Sequence, residues 1–487
     1  MRPDSSPLTL AHPLPPIGLS ARGTRTESDS MGEIEVPADR YWGAQTQRSL
    51  VHFSIAGDRM PKQVYHAYGY VKKAAAKINA DAGRLDPTLA AAIIQACDET
   101  IAGKLDAHYP LFVWQTGSGT QSNMNINEVV SNRAIQILGG TLGSKDPVHP
   151  NDHVNMGQSS NDTFPSAMHI ATVLALHAQV FPAIEALASV FEQRAQDWAD
   201  MPKIGRTHLQ DAVPLSVGQE WSGHGAMLRD GLERLRQARD GLYRLAAGGT
   251  AVGTGLNAPS GFSEAIASEI ATLTGQPFIT APNKFAAQAS LDPMVAVMSA
   301  LRGLAVSVMK IANDLRWLAS GPRCGLAELH MPETEPGSSI MPGKVNPTQC
   351  EAMMMICLQI IGLDTAVGMA GGMGNFQLNA MRPIITANVL HAIDLLGDGT
   401  TNFCRFAVEG IAPRKEVIAG YLERSLMLVT ALSPEIGYDR AAEIAHLAEE
   451  NDLSLREATL KLGYLTGPEF DRIADPSAMI GDGIGGA

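Results

Sequence analysis

Apolar residues recur at helical spacing along most of the chain, and the clearest case lies between residues 293 and 320. There, apolar side chains are separated by steps of three residues or one, which is the spacing of one face of a helix. The positions are Leu301, Leu304, Ala305, Val308, Ile311, Ala312 and Leu315. Ala, Leu, Met and Ile, which favour helix, fill most apolar positions, whereas aromatic residues make up only 5% of the chain. The pattern therefore predicts a mainly α fold.

Helical patterns of the same kind occur on both sides of this segment. We predict helices over residues 63–82, 87–103, 127–138, 166–198, 216–246, 351–369, 415–426, 438–451 and 454–462. Pro182 should kink the helix predicted over residues 166–198, because proline has no amide hydrogen to donate. Residues 351–369 are apolar nearly all round, which is typical of a helix in the middle of a bundle. We therefore expect a central bundle of long helices.

A loop over residues 337–347 separates two of these helical patterns. Pro336, Pro342 and Pro347 rule out a continuous helix through it. Its polar side chains are Ser338, Ser339, Lys344 and Asn346. Together with exposed main-chain amides, these groups would form a cationic, donor-rich surface suited to a carboxylate or another oxyanion. The alternative is a connector whose polar residues are only solvated.

Three further polar segments precede helical patterns. Residues 114–125 hold two glycines beside hydroxyl groups, as at an anion-binding helix N-terminus, although the hydroxyls could serve only as helix caps. Residues 158–162 form a similar cluster. Residues 205–212 contain His208, whose side-chain type suits acid–base chemistry near neutral pH, with a structural histidine as the alternative. These segments share hydroxyls, amides and a few cationic groups, which suits a small polyanion undergoing proton transfer.

Charge and cysteine content narrow the possible partners and cofactors. The net charge is −13 and no run of Lys or Arg occurs, so nucleic acid and anionic membrane surfaces are poor partners. The five cysteines are scattered without a C-x-x-C motif, which argues against a disulfide framework, a zinc ribbon or an iron–sulfur cluster. The glycine-rich residues 248–261 lack G-x-G-x-x-G and give no support to a dinucleotide fold. We expect no metal or cofactor, and a location in the reducing cytoplasm.

The chain also divides by composition. We predict a disordered extension over residues 1–24, an N-terminal domain over 25–156, a central helical-bundle domain over 157–411 and a small C-terminal helical domain over 412–487. The extension is rich in Pro and Ser, and an organellar signal is its alternative interpretation. The most apolar helical segment, residues 352–363, is too short to cross a bilayer, so no membrane span is predicted.

From about residue 25 to residue 480 the polar segments resemble those of class II fumarase, the iron-independent fumarate hydratase of the fumarase/aspartase superfamily. The resemblance is carried by residues 337–351, by Thr207-His208-Leu209-Gln210-Asp211, by His149-Pro150-Asn151-Asp152 and by residues 426–432. Aspartase-like sequences share the loop but typically carry Gln where His208 stands. The resemblance implies a three-domain fumarase/aspartase-like fold and a homotetramer whose active sites are shared between subunits. It also implies a hydro-lyase of the tricarboxylic acid cycle that converts fumarate reversibly to L-malate.

The resemblance further implies roles for individual residues. Ser338 takes the C3 proton of malate, His208 exchanges a proton with water at C2, and Glu351 orients His208. The reversed assignment of Ser338 and His208 stays open. Lys344 and Asn346 stabilise the aci-carboxylate intermediate. The residues implied to bind substrate are Ser118, Gly119, Thr120, Ser159, Ser160, Asn161, Thr207, Ser339, Lys344, Val345 and Asn346.

A second dicarboxylate site is implied at His149, Pro150, Asn151 and Asp152, where a structural turn is the alternative. The chain departs from the family pattern at Gln377, where Glu is usual, and at Asp146-Pro147, where a basic residue is common. Two other functions remain possible: an aspartase-type ammonia-lyase of the same superfamily, and a non-catalytic, crystallin-like protein that kept the fold.

Overall fold

The computed structural model describes residues 14–481, so most of the extension predicted for residues 1–24 lies outside the described residues. Within them the chain is mainly helical, which confirms the predicted fold class. The helices are α1 (Ala44–His52), α2 (Lys62–Asp81), α3 (Pro87–Ile101), α4 (Thr120–Ile137), α5 (Ser160–Ala175), α6 (Phe181–Asp197), α7 (Val217–Asp240), α8 (Phe262–Thr274), α9 (Lys284–Ala289), α10 (Asp292–Leu318), α11 (Thr348–Gly371), α12 (Arg382–Phe406), α13 (Lys415–Arg424), α14 (Ser433–Ile436), α15 (Tyr438–Asn451), α16 (Leu455–Leu462) and α17 (Gly467–Ile473).

The strands pair into four small two-stranded sheets within the described residues. Three pairs are antiparallel: β1 (Thr24–Asp29) with β2 (Gly32–Pro37), β3 (Pro202–Thr207) with β4 (Gln210–Ser216), and β7 (Leu329–His330) with β8 (Ala412–Pro413). The fourth pair, β5 (Arg244–Leu245) with β6 (Ile279–Thr280), is parallel. The sheets are too small to form a layer, so the helices supply most of the core.

The apolar stripe predicted within residues 293–320 lies in α10, and all seven of its side chains are fully buried. The predicted interruption near Pro182 takes the form of a π-helical turn, Leu176–Val180, between α5 and α6. Two helices begin earlier than predicted: α4 at Thr120 and α5 at Ser160. Their polar first turns carry no apolar stripe, which is why periodicity placed their starts too late.

The prediction that no segment is long and apolar enough to cross a membrane is wrong. Three stretches among the described residues qualify: Ser160–Asp197, Asp292–Leu318 and Thr348–Gly371. The helix at Thr348–Gly371 extends beyond the apolar residues 352–363 at both ends, which makes it long enough. A bundle helix that is apolar on most of its surface has the same length and composition as a membrane span, so sequence alone does not separate them.

The chain forms two compact units, each drawn from separated stretches. Unit 1 comprises residues up to Val180, Arg234–Arg302 and Gln359–Leu395. Unit 2 comprises Phe181–Glu233, Gly303–Leu358 and the residues from Leu396 onward. Near its C-terminal end unit 2 has a separate hydrophobic cluster that includes Leu432, Ile444 and Ala458. The predicted domains follow chain order, unlike these units, and their bounds stay a prediction.

Candidate active site

In unit 1 the first residues of α4 and α5 lie side by side. The Ser118 and Thr120 hydroxyls are 2.8 Å apart, and the Thr120 and Ser160 hydroxyls are 2.7 Å apart. Gly119, at φ +81°, is the N-cap of α4. The dipole of a helix favours anions near its N-terminus, and two such ends with a row of hydroxyls form a donor-rich surface. The structure thus brings together Ser118, Thr120 and Ser160, which the sequence separates.

This close approach depends on glycine. A Cβ at Gly119 would lie 2.2 Å from the ring of Phe164 in α5, a distance at which atoms overlap. A Cβ at Gly117 would lie 1.5 Å from the carbonyl oxygen of Ala380. The two glycines of this segment therefore allow main chain and aromatic ring to pack against the start of α4.

The start of α5 is held by Asp162, which is fully buried. Its carboxylate accepts hydrogen bonds from the amides of Ser159, Gly248 and Thr250, each at 2.9 Å. Burial raises the pKa of Asp162 to about 6, although these amides and Lys72 oppose the shift. Next to it the Asn161 side chain donates to the carbonyl oxygen of Ala251 at 2.8 Å. Residues 248–251 of the glycine-rich segment therefore anchor the polar cluster at residues 158–162.

Two buried cations beside these helix ends were not found from the sequence. Arg382, at the start of α12, donates to the carbonyl oxygens of Ser118 at 3.3 Å and Ser160 at 3.4 Å. Lys72, in α2, donates to the side-chain oxygens of three amides at 2.8–3.0 Å. These are Asn123, Asn155 and Gln158. Lys72 stands in the buried face of α2, and a cation in an apolar stripe is a signal that could have revealed it.

In unit 2 the segment containing His208 is a β-hairpin, where the sequence indicated only a polar cluster before a helix. Thr207 pairs with Gln210, so His208 and Leu209 form a two-residue turn. Their φ angles are +59° and +62°, the values that favour Asn or Gly in such turns. Two side-chain-bearing residues in this conformation are strained, and such strain is common at functional sites. The turn places His208 at the tip of the hairpin.

A buried ion cluster lies at the base of this hairpin. Lys203 of β3 contacts Glu328 at 2.9 Å and Glu220 at 2.7 Å. Arg206 of β3 contacts the other oxygen of Glu328 at 2.7 Å. Because Glu328 directly precedes β7, the cluster ties the His208 hairpin to the chain that leads into residues 337–347.

The loop over residues 337–347 folds back on itself. The Ser338 hydroxyl oxygen accepts hydrogen bonds from the amides of Met341 at 3.0 Å and Ile340 at 3.3 Å. Lys344 donates to the Asn346 side-chain oxygen at 2.5 Å, and the Asn346 amide donates to the carbonyl oxygen of Gly337. A Cβ at Gly337 would lie 1.8 Å from the carbonyl oxygen of Lys344, so this closure requires glycine.

A hydrogen bond joins the two ends of the loop, and a cavity lies beside it. Glu335 accepts a hydrogen bond from the Thr348 hydroxyl, which joins the chain before and after the loop. A cavity of about 400 Å³ is lined by Lys344, Asn346, His330 and Arg414, among others. Ser339 and Val345 are exposed.

The predicted acid–base residues do not form a connected triad in the single chain. Glu351 lies in the first turn of α11 and is exposed. Among the described residues, no hydrogen bond joins Glu351 to His208 or His208 to Ser338. The predicted site residues also fall into two sets: Ser118 to Asn161 belong to unit 1, and Thr207 to Glu351 belong to unit 2.

The predicted second site contains a capped turn. The His149 imidazole Nδ1 accepts from the amides of Asn151 at 3.2 Å and Asp152 at 3.1 Å, ahead of a π-helical turn, Pro150–Val154. Burial lowers the pKa of His149, against the opposing effect of Asp152. His149, Pro150 and Asn151 line a cavity of about 140 Å³ together with Lys145 and three carboxyl groups. Of these, Glu27 and Asp29 are paired with Arg25 and Arg48, and Glu128 accepts hydrogen bonds from main-chain amides of residues 43–46.

Metal binding gains no support within residues 14–481, where no group of three or more His, Cys, Asp or Glu side chains could hold a metal ion.

Comparison with known proteins gives the same family throughout the chain. Residues 32–362 match the lyase family, and residues 428–481 match the family described as the fumarase C C-terminus. The class II fumarate hydratase of Methanosarcina acetivorans is 62% identical over 96% of this chain and 96% of that protein. The class II fumarate hydratase of Thermosynechococcus vestitus is 57% identical over 94% of this chain and 98% of that protein. The crystal structure of class II fumarase from Schistosoma mansoni superposes with a TM-score of 0.91 and 43% identity, over 94% of this chain and 99% of that chain. The chain therefore belongs to the class II fumarase family.

Proposed function

We propose that this chain is a fumarate hydratase, a hydro-lyase that interconverts fumarate and L-malate by acid–base catalysis. The observation that carries the proposal is the environment of Ser338, whose oxygen accepts two main-chain amides beside Lys344 and Asn346. A serine hydroxyl is a weak base, so its alkoxide needs hydrogen-bond donors and nearby positive charge. Family membership and the names of the relatives point to the same reaction.

In the dehydration direction, Ser338 removes the proton from C3 of malate. The electron pair left on C3 moves into the adjacent carboxylate, which becomes a doubly negative aci-carboxylate. Lys344 and Asn346 bind this group, and their contribution is greatest when the extra charge is present. Lys344 uses one of its three hydrogens on Asn346, so two remain for the substrate.

Loss of hydroxide from C2 completes the reaction. His208 donates a proton to the leaving oxygen as the C2–O bond breaks, so this oxygen departs as water. Glu351 orients the imidazole and stabilises its charged form, as a carboxylate does for other catalytic histidines. The alternative assignment reverses the roles of Ser338 and His208.

The other end of the substrate binds at the start of α4 and α5. Ser118, Gly119, Thr120, Ser159, Ser160 and Asn161 supply hydroxyls and amides there, and Thr207, Ser339 and Val345 line the rest of the site. Because these residues belong to two compact units, we propose that neighbouring subunits of a homotetramer bring them together. The exposed apolar side chains of α11 support such an assembly, since Met355, Leu358 and Met369 are 60–73% exposed in the single chain.

His149, Pro150, Asn151 and Asp152 form a second dicarboxylate site in this proposal. Lys145 and the free nitrogen of His149 supply donors there. Of the three carboxyl groups in the same cavity, Glu27 and Asp29 are paired with arginines, and burial raises the pKa of Glu128 to about 7, which limits their repulsion of an anion. We further propose a role in the tricarboxylic acid cycle and a reducing compartment such as the cytoplasm. The free thiols of all five cysteines are compatible with that compartment.

Ultraviolet absorbance of fumarate tests the function directly. The purified protein should produce fumarate from L-malate and not from L-aspartate. Fumarate from aspartate alone would identify an ammonia-lyase, and no fumarate from either would favour a protein without catalytic activity. Treatment with a chelator should leave the rate unchanged, because no metal takes part in the proposed steps. Light scattering of the same sample should give four times the mass of one chain.

A further inference from the structure

Arg382 is a buried arginine that is held by main-chain carbonyl groups. Its side chain is fully buried, and it donates to the carbonyl oxygens of Ser118, Ser160 and Gln288, the last at 2.8 Å. Among the described residues, no carboxylate pairs with it, and its Nε has no hydrogen-bond partner. Burying a cation without a paired anion is costly, so this arrangement needs a compensating role.

The position of Arg382 in its helix adds to that cost. Arg382 is the first residue of α12, where the helix dipole already contributes positive charge and a cation is disfavoured. Its two weakest hydrogen bonds reach the segments that begin α4 and α5. Three helix N-termini and one guanidinium therefore share a small region of unit 1, and Asp162 is the acidic residue that interacts with Arg382 there.

The charge of the guanidinium persists near neutral pH. Burial lowers the pKa of Arg382 to about 10, with Tyr68 and Asp162 opposing the shift. The carboxylate of Asp162 is already engaged by three amides, so it neutralises the surrounding positive charge only in part. In a buried region of low dielectric constant, the remaining charge acts over a longer range than it would in water.

We infer that Arg382 is a positioning residue of the dicarboxylate site: it joins the starts of α4 and α5 and supplies positive charge beneath them. The inference rests on the proposed function, since it assumes that a dicarboxylate binds at these helix ends. Arg382 does not touch the substrate. It holds the hydroxyls of Thr120 and Ser160 side by side and raises the affinity for a dianion above that for a monoanion.

The test compares Arg382→Met and Arg382→Lys with Arg133→Met. Arg133 is an equally buried arginine of unit 1, but it is paired with the carboxylate of Glu99 at 2.6 and 2.8 Å. Calorimetry with succinate and with its monomethyl ester measures dianion and monoanion binding without turnover. Arg382→Met should weaken succinate binding about tenfold or more, and the ester threefold or less. Arg382→Lys should keep the preference for succinate over the ester but bind both ligands more weakly than the wild type does.

If Arg382→Met weakens the binding of succinate and of the ester equally, the charge role is overturned. It is also overturned if Arg133→Met loses the preference for succinate to the same extent as Arg382→Met. If Arg382→Met does not fold, Arg382→Lys decides alone, and unchanged binding of both ligands there would overturn the inference. The outcome is separable from the proposed function. A wild-type protein that binds succinate but does not hydrate fumarate contradicts the function, whereas a hydratase whose Arg382 variants bind normally contradicts only the inference.

Discussion

The hydroxyl oxygens of Thr120 and Ser160 lie 2.7 Å apart, although 40 positions separate them in the chain. Each residue is the first of its helix, so the contact brings the positive ends of the α4 and α5 helix dipoles together. Neither helix start alone distinguishes an anion site from an ordinary cap. Their meeting at one point, with Arg382 beneath, favours the anion site.

Removing this contact should weaken substrate binding. We expect Ser160→Ala to raise KM for fumarate by about tenfold, because a lost hydrogen bond to a charged group costs about 1.5 kcal/mol. Steady-state kinetics measures the change. Thr172→Val, in the same helix and also buried, is the matched control and should keep the wild-type KM. A wild-type KM in Ser160→Ala would contradict a role for this hydroxyl in binding.

Replacing the proposed base should abolish turnover without abolishing binding. In Ser338→Ala the kcat for malate should fall by about 100-fold or more, within the range for loss of a positioned base. Succinate affinity, measured by calorimetry, should stay near the wild-type value, because Ser338 is not needed to hold a carboxylate. A near-normal kcat would rule out Ser338 as the base and leave His208 in that role.

A side chain at Gly119 should disrupt the start of α4. The added Cβ of Gly119→Ala would lie 2.2 Å from Phe164, and φ is +81°, so overlap adds to backbone strain. We expect the free energy of unfolding to fall by about 3 kcal/mol, as for an overpacked core. Gly83→Ala is the control, since Gly83 has φ +68° but no atom within 4 Å of its Cβ position. Its loss should be only about 1 kcal/mol, measured by urea denaturation. Equal losses in the two variants would show that strain alone acts.

The ion cluster below the His208 hairpin should contribute to stability and activity together. Glu328→Gln leaves the buried cations Lys203 and Arg206 partly unpaired, so the free energy of unfolding should fall by about 3 kcal/mol. The value of kcat/KM should also fall, because the cluster lies below the hairpin that carries His208. Glu220→Gln removes a partner of Lys203 that is 24% exposed, and its cost should be about 1 kcal/mol or less. If Glu328→Gln loses stability but keeps kcat/KM, the cluster does not position the hairpin.

Lys72 should make stability depend on pH in the alkaline range. Burial lowers the pKa of Lys72 from its ordinary 10.5 to about 7, so above pH 7 the unfolded chain binds a proton that the folded chain has released. The contribution of Lys72 to unfolding free energy therefore rises with pH by about 1.4 kcal/mol for each pH unit, until the unfolded amine also titrates. Asp162 does not contribute to this slope, because its pKa is about 6 and its carboxylate is therefore already ionised in the alkaline range.

Denaturant titrations of wild type and Lys72→Met between pH 7 and 9 measure this slope. The unfolding free energy of the wild type minus that of Lys72→Met should increase with pH. Lys73→Met is the control, because Lys73 is partly exposed and paired with Asp98, and its variant should follow the wild-type slope. A constant difference between wild type and Lys72→Met would show that Lys72 keeps its proton in the folded protein.

Several features followed from the sequence alone because they depend on neighbouring residues. The seven apolar positions of α10 are all buried, since helical periodicity places them on one face. Ser159 and Asp162 form a capping box through a local spacing of three residues, although helical periodicity placed the start of this helix only at residue 166. The prolines and glycines of residues 337–347 likewise determined a loop between helices.

Other features were decided only by the tertiary structure. The pairing of Thr120 with Ser160 joins segments that are far apart in the chain. The burial of Lys72 and Arg382 and the hairpin turn that presents His208 go against the local preferences of these residues. Periodicity records which face of an element is apolar, but it does not record which other element packs there. Contacts between distant segments form because the whole core must fill its volume and satisfy its buried polar groups, and that condition is not local.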